Sequence, residues 1–248
     1  VLIGGGSTLH SYNSIKWKLD LIKKIKKMNR GPVFSSCVGI SLGPFKSDSS
    51  KEICKELFNT IDFAVLRENH SFVLAKSISD NNNIYSSLDT TLLLLNLCTD
   101  KMSNSVKNKN YNKDDEVVGI IFVKNKSHEE YFEKNKYFEK YLSIINHILE
   151  KNKKVILFTF YIGDDYLDQD LNQELKKHAK FPDKVDIYNY NCNIFDTIEE
   201  LKRCSYIVSM RLHGIIFSYI LGIPFLSLGY DPKNKNFCDS INYPSEMS

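Results

Sequence analysis

Residues 206–235 read YIVSMRLHGIIFSYILGIPFLSLGYDPKNK, and this stretch decides the fold. Tyr206 to Val208 is a short β-branched and aromatic run, which predicts a buried strand. Leu212 to Leu221 is apolar on nearly every face, which predicts a buried helix. Gly222 suits the position after a helix end, and Pro224 stops any continuation. Phe225 to Leu228 is a second apolar run, a neighbouring parallel strand. Arg211 and His213 therefore stand where a strand hands over to a helix, the edge at which open α/β sheets bind ligands. The helix start adds unpaired N–H groups and a positive dipole end, which suit an anion. Asp231 and Lys233 follow the next strand at the same rim.

Working outward, 248 residues suffice for one large or two modest α/β domains. The chain is 42% hydrophobic and 25% charged, ordinary for a globular protein. A net charge of +3 is too small to argue for a nucleic-acid partner or a membrane surface. No apolar run reaches the roughly 18 residues of a membrane span. Cys37, Cys54, Cys98, Cys192, Cys204 and Cys238 form no Cys-x-x-Cys pair and no Cys/His zinc spacing. Scattered reduced thiols and a cytoplasmic location are expected. The chain starts at Val1 inside what reads as a strand. It is expected to be a fragment whose first domain lacks its opening strand and helix, whose closing helices are short or absent, and which leaves an upstream targeting signal open.

The N-terminal half alternates strands and helices. Val1 to Ile3 is the end of a strand, and Gly4-Gly5-Gly6-Ser7 follows as a turn whose backbone can approach a ligand closely. Ser14 to Met28 is an amphipathic helix with Ile15, Leu19 and Ile22 inward and its lysines on a solvated face. Val33 to Val38 is the next strand, and Gly39 to Phe45, with Ser41 and Gly43, is a loop. Ser49 to Asn59 is a helix and Asp62 to Leu66 a strand. Arg67-Glu68-Asn69-His70-Ser71 opens another helix; the plain reading of Arg67 is a surface ion pair with Glu68 or another acid, worth little. Ile84 to Ser87 is a short strand, and Leu92 to Leu95 should be core.

Thr99 to Asp115, rich in Asn, Lys, Ser and Asp, reads as a linker. The pattern then restarts with the strand Glu116 to Val123. Ser127 and Glu130 make a capping box for a helix reaching about Lys151. The strand Lys154 to Phe160 ends in an acidic loop, Tyr161 to Asp165. There Asp164 and Asp165 can bind or deprotonate acceptor hydroxyls, or simply favour a helix dipole. The helix Leu167 to Ala179, the strand Val185 to Tyr190 and the helix Ile194 to Lys202 lead back to the opening stretch. The expected fold class is α/β, two Rossmann-like domains facing a cleft in a glycosyltransferase-B-like arrangement. Residues 1–99 form the acceptor-side domain, 100–115 the linker and 116–248 the donor-side domain.

The ordered run Arg211-Leu212-His213-Gly214, helix, Gly222-Ile223-Pro224, strand, Tyr230-Asp231-Pro232-Lys233 resembles the polysaccharide pyruvyl transferase family. So do Gly39-Ile40-Ser41-Leu42-Gly43-Pro44 and the Arg-Glu-x-x-Ser element at Arg67. Where the family has Asp-Pro-Ala, this chain has Asp89-Thr90-Thr91, without proline, and no role is assigned to Asp89. The resemblance implies transfer of a pyruvyl group from phosphoenolpyruvate to two hydroxyls of one sugar, forming a ketal and releasing phosphate. The acceptor would be a cell-surface glycan or its lipid-linked precursor, met at the inner membrane face.

Phosphoenolpyruvate carries a carboxylate and a phosphate, so its site needs two cationic or helix-end subsites. Arg67, Arg211 and Lys233 can supply them, with Leu212 at the helix start between. His213 can donate a proton to C3 or to the bridging enol oxygen; the other reading is a core histidine capping the helix. Gly5, Gly6, Ser7, Ser41, Gly43 and Asp164 are candidate acceptor or backbone contacts. Neither a metal nor a cofactor beyond the co-substrate is expected. A sugar-nucleotide glycosyltransferase or epimerase is the alternative, but no glutamate after the last helix–strand unit is clearly placed to hold a ribose. A non-catalytic carbohydrate-binding derivative is another.

Overall fold

The computed structural model describes residues 1–94, 116–124, 131–160, 167–229 and 232–247. The linker, the Ser127/Glu130 capping box, the acidic loop with Asp164, and Tyr230-Asp231 lie outside the described residues. The chain divides into two compact units, Val1–Leu94 and Leu95–Ser248.

Unit 1 holds β1 (Leu2–Leu9), α1 (Tyr12–Met28), β2 (Ser36–Leu42), α2 (Asp48–Thr60), β3 (Phe63–Leu66), α3 (Asn69–Ile78) and β4 (Ile84–Ser86). The four strands are parallel and lie in chain order. Crossovers that all move one way, each right-handed, bring the three helices to one face. The core lies beneath them, with Ile15, Leu19 and Ile22 of α1 and Leu57 and Phe58 of α2 packed over Cys37, Ala64, Leu66 and Ile84. Ser47 caps α2 by accepting the Ser50 N–H at 3.2 Å.

Three expectations change here. The glycines do not make a turn after Ile3: β1 runs through them, with Gly5 and Gly6 at φ 74° and 73° and a register shift between Gly6 and Leu9. The backbone freedom of glycine is spent on a bulge inside a strand, and Ser7 continues that strand. Likewise β2 begins at Ser36 and continues to Leu42, so Ser41 is a strand residue and only Gly43 belongs to the following loop. Gly39 looks like punctuation in a sequence, yet β2 runs through it, with φ 67° and a register shift against β3 between Val38 and Ile40. The leucines after β4 also depart from the core expectation. Leu92 and Leu93 enter a single 3₁₀ turn, Thr90–Leu93, and Leu93 is exposed, because one short turn cannot direct every side chain inward; Leu95 lies outside the described residues.

Unit 2 holds β5 (Val117–Ile121), α4 (Tyr131–Glu150), β6 (Lys154–Thr159), α5 (Leu167–His178), β7 (Val185–Asn189), α6 (Ile194–Leu201), β8 (Tyr206–Ser209), α7 (Leu212–Leu221), β9 (Phe225–Ser227) and α8 (Pro232–Ser240). Its five parallel strands run β7-β6-β5-β8-β9. The chain thus winds outward from β5 to β7, then returns to β5 and winds the other way. This doubly wound order has its reversal between β5 and β8. The central strands β5 and β6 are near-continuous Val/Ile/Leu/Phe runs because both faces are covered, whereas the edge strand β7, Val-Asp-Ile-Tyr-Asn, is only partly buried. Ile120, Phe122, Val155, Leu157 and Val208 meet Ile145, Leu149 and Leu175 in the core. Gly222 ends α7 in the left-handed region at φ 66°, as the sequence predicts. The nine-residue α8 is a short closing helix, and its buried Phe237 and Cys238 hold it in place.

Candidate functional site

The reversal of strand order puts the C-terminal ends of β5 and β8 side by side. Residues 122–124 leave β5 there, and Met210-Arg211 leave β8. The β8 exit is fixed locally. Met210 N–H donates to Ile121 O at 2.8 Å. The Ser209 hydroxyl accepts the Arg211 N–H at 3.1 Å and donates to Arg211 O at 2.8 Å, closing a tight side-chain turn in front of α7. Arg211 is the residue before the helix, and Leu212 and His213 form its first turn.

The Arg211 side chain is held by an acid from a third element. Its Nε donates to Asp168 Oδ2 at 3.0 Å, and Nη2 donates to the same oxygen. Asp168 Oδ1 accepts the Lys124 N–H at 3.1 Å. One carboxylate in the first turn of α5 therefore ties the end of β5 to the arginine after β8. Asp168 is 2% exposed and Arg211 23%, so the acid is interior and the guanidinium reaches the rim. The buried Asn234, in the first turn of α8, donates to Met210 O at 2.7 Å. That contact brings its chain neighbour Lys233, half-buried, to the same rim. His213 is exposed.

The electrostatics follow. Arg211 and Asp168 cancel in net charge, so this pair sets direction more than it adds field. The positive balance at the rim comes from Lys233 and from the N-terminal amides of α7 and α8, each helix start equivalent to about half a charge. An oriented guanidinium flanked by such charges can grip a carboxylate or phosphate in a fixed pose.

The other expected residues gather in unit 1. Arg67 pairs with acids, as the sequence predicts, with Glu68 at 3.6 Å and with Asp89, but the cluster is buried rather than on the surface. Arg67 Nε donates to Ser41 Oγ at 2.5 Å and Nη1 to Asp89 Oδ2 at 2.7 Å. The Ser41 hydroxyl in turn donates to Glu68. Asp89, which had no role on sequence grounds, is a buried counter-ion of Arg67 and also accepts the Thr91 N–H at 2.9 Å. Burial alone would raise its pKa, but the Thr91 N–H and the Arg67 charge more than offset that and hold it below the usual carboxylate value. Ser41, Gly43 and Arg67 thus lie at or near strand ends of unit 1, and Gly5 and Gly6 inside β1; Arg211, Leu212, His213 and Lys233 lie on one rim of unit 2. Among the described residues no group of three His, Cys, Asp or Glu side chains could hold a metal ion.

Asp168, Lys124 and Asn234 escape a sequence reading. For Asp168 a signal exists: Asp168, Asn172, Leu175 and Ala179 fall at i, i+4, i+7 and i+11, a single helix stripe. Its last two members are core, so the first two polar ones must be buried too. Asn172 indeed donates to Thr159 at 3.1 Å, and Thr159 to Asn189 at 3.0 Å. Nothing in the sequence marks Lys124, which contributes only its backbone.

Gly214 supports the site from behind. A Cβ at this position would lie 2.3 Å from Ile121 Cδ1 and 2.4 Å from Ser209 Oγ. Glycine is thus what lets α7 approach β5 and β8 so closely. We expect Gly214→Ala to cost about 1–3 kcal/mol through overpacking and to displace Ser209, whose hydroxyl sets the Arg211 backbone. Urea denaturation checks this; an unchanged midpoint would contradict it.

These features define the class: an α/β protein of two parallel-sheet, Rossmann-like units, glycosyltransferase-B-like in type, with an anion-suited rim at the strand-order reversal of the second. The chain belongs to the polysaccharide pyruvyl transferase family, whose model matches residues 1–232. It is similar to the amylovoran biosynthesis protein AmsJ of Erwinia amylovora, at 20% identity over 255 aligned residues, spanning 100% of this chain and 60% of that protein. Among solved structures it resembles the UDP-N-acetylglucosamine 2-epimerase of Rickettsia bellii, with a TM-score of 0.54 and 14% identity over 88% of this chain and 62% of that one. A Listeria monocytogenes protein assigned to the UDP-N-acetylglucosamine 2-epimerases gives a TM-score of 0.58 at 11% identity, over 95% of this chain and 59% of that one. At such identities the likeness shows the fold alone. The chain spans about three-fifths of the length of these relatives. No helix among the described residues is long and apolar enough to cross a membrane.

Proposed function

We propose that the protein moves a pyruvyl group from phosphoenolpyruvate to two hydroxyls of one sugar in a polysaccharide or its precursor. The observation that supports this best, beside the family membership, is the Arg211–Asp168 pair at the reversal of strand order, one turn from His213. In this reading Arg211 and Lys233 bind the donor's anions, and the N-terminal amides of α7 and α8 share the phosphate charge. Asp168 is a positioning residue that keeps the guanidinium in one plane. Arg67 is assigned to organising the strand ends of unit 1 with Ser41, since burial and Asp89 occupy it.

His213 protonates C3 of the enol, turning the methylene into a methyl group and making C2 electrophilic. The first sugar hydroxyl attacks C2 and loses its proton. The bond from C2 to the phosphate oxygen then breaks. The second hydroxyl closes the ketal, and its proton leaves with the phosphate. Two hydroxyl protons are lost, one balancing the proton gained at C3 and one carried by the phosphate.

The chemistry has a direct signature. With phosphoenolpyruvate and a polysaccharide acceptor in deuterated water, NMR should show phosphate released in step with a ketal methyl group that carries one solvent deuteron. Phosphate release without a new methyl signal would mean hydrolysis and would count against transfer.

A further inference from the structure

The outer face of α1 is not what a solvated helix face usually shows. Its inner stripe, Ile15, Leu19 and Ile22, fills the core of unit 1. On the opposite side Trp17, Leu21, Lys24 and Met28 fall at i, i+4, i+7 and i+11, one line along the helix. Trp17 is 57% exposed, Leu21 42% and Met28 72%. Trp17 is the chain's one tryptophan. Leu2 and Phe34, 69% and 68% exposed, stand at the strand starts, the end of the unit toward which α1 descends.

This apolar line is embedded in positive charge. α1 holds Lys16, Lys18, Lys23, Lys24, Lys26 and Lys27 against Asp20 alone. Its net +5 exceeds the +3 of the whole chain, so the remainder is net acidic and the basic charge is concentrated here. Lys16, Lys23 and Lys26 pair with Asp20, Glu56 and Asp62. Lys18 turns inward, its ammonium donating to Ser14 O at 2.7 Å. Lys24, Lys27 and Arg30 are exposed and have no acidic partner among the described residues. They lie along the Leu21–Met28 half of the stripe.

We infer that this face docks the protein on an anionic lipid surface. Trp and Leu on a line flanked by lysines is the composition that settles at the boundary between headgroups and acyl chains. Indole suits that boundary because it is apolar with one polar edge. The lysine stems lie along apolar surface while their ammonium groups remain among the headgroups. Charge complementarity selects the occupant: a second copy would bring the same unpaired cations together. The inference rests on α1 alone and stands whether or not phosphoenolpyruvate is the donor.

The 248-residue protein is mixed with vesicles of phosphatidylcholine containing about a third phosphatidylglycerol, and with vesicles of phosphatidylcholine alone. Co-flotation and the emission of Trp17 are recorded. Binding to the anionic vesicles with a blue shift of Trp17, weakened at least tenfold by raised salt and by the pair Lys24→Glu with Lys27→Glu, is the expected result. Trp17→Ser should weaken it comparably, whereas Lys51→Glu on α2 should not. All four side chains are exposed, so unchanged circular dichroism is expected and separates lost docking from lost folding. No binding, equal binding to both vesicles, or a Trp17 shift that follows protein concentration without lipid would each overturn the proposal; the last would identify a second copy as the occupant.

Discussion

Replacing Asp89 with alanine is expected to destabilise unit 1 by about 3–5 kcal/mol, the range for stripping one partner from a buried ion pair. The arginine it leaves behind has a side chain only 4% exposed; Glu68 stays 3.6 Å from its Nε, but the 2.7 Å contact to Nη1 is lost at a depth where water does not readily substitute. The Thr91 N–H would lose its acceptor as well. An apolar replacement of both partners, Arg67→Met with Asp89→Leu, should recover much of the loss, because desolvating a charge is the larger part of the cost. Urea denaturation followed by circular dichroism and by Trp17, which stands in unit 1, measures it. A loss below about 1 kcal/mol, the range of an exposed pair, would contradict the burial argument. The pH dependence has a definite sign. The folded pKa of Asp89 is depressed, so its contribution is present in full above the unfolded value of about 3.9. It is lost as pH falls through the lower folded value, so unit 1 should weaken below about pH 4 and not near neutrality.

The second large effect is on turnover. His213→Ala removes an exposed side chain from the first turn of α7 and opens no cavity, so stability should stay within about 0.5 kcal/mol. Loss of a general acid typically costs about 10²–10⁴-fold in rate, and that loss is expected in kcat, with donor binding largely kept. Phosphate release and the ketal methyl signal provide the readout. Turnover retained in the variant would remove His213 from the proton transfer.

The regular parts of this fold are legible because the central strands of unit 2 are dense apolar runs and helices such as α1 carry an i, i+4, i+7 stripe. The helix Leu212–Leu221 and its glycine stop are visible to the residue. Glycine is the ambiguous letter: at Gly222 it ends a helix, whereas at Gly5, Gly6 and Gly39 it sits inside strands, a choice made by pairing with a neighbouring strand rather than by local preference. The site is half legible. Arg211 and His213 announce themselves by standing between a strand and a helix. Asp168 is 43 residues away in sequence and becomes a partner only when strand order reverses between β5 and β8. Arg67 and Asp89 show the same limit: a charged residue at a strand end reads as exposed until the fold brings an acid to bury with it.

The central claim is that phosphoenolpyruvate binds at the β8–α7 rim of unit 2, and thermal stabilisation tests it most directly. A ligand that binds only the folded protein raises the melting temperature by mass action, about 2.7 kcal/mol at a hundred times its Kd. Phosphoenolpyruvate should raise the melting temperature of the wild-type protein and leave that of Arg211→Ala unmoved, while UDP-sugars shift neither. A shift with UDP-sugars alone, or a phosphoenolpyruvate shift that survives loss of Arg211, would contradict the account.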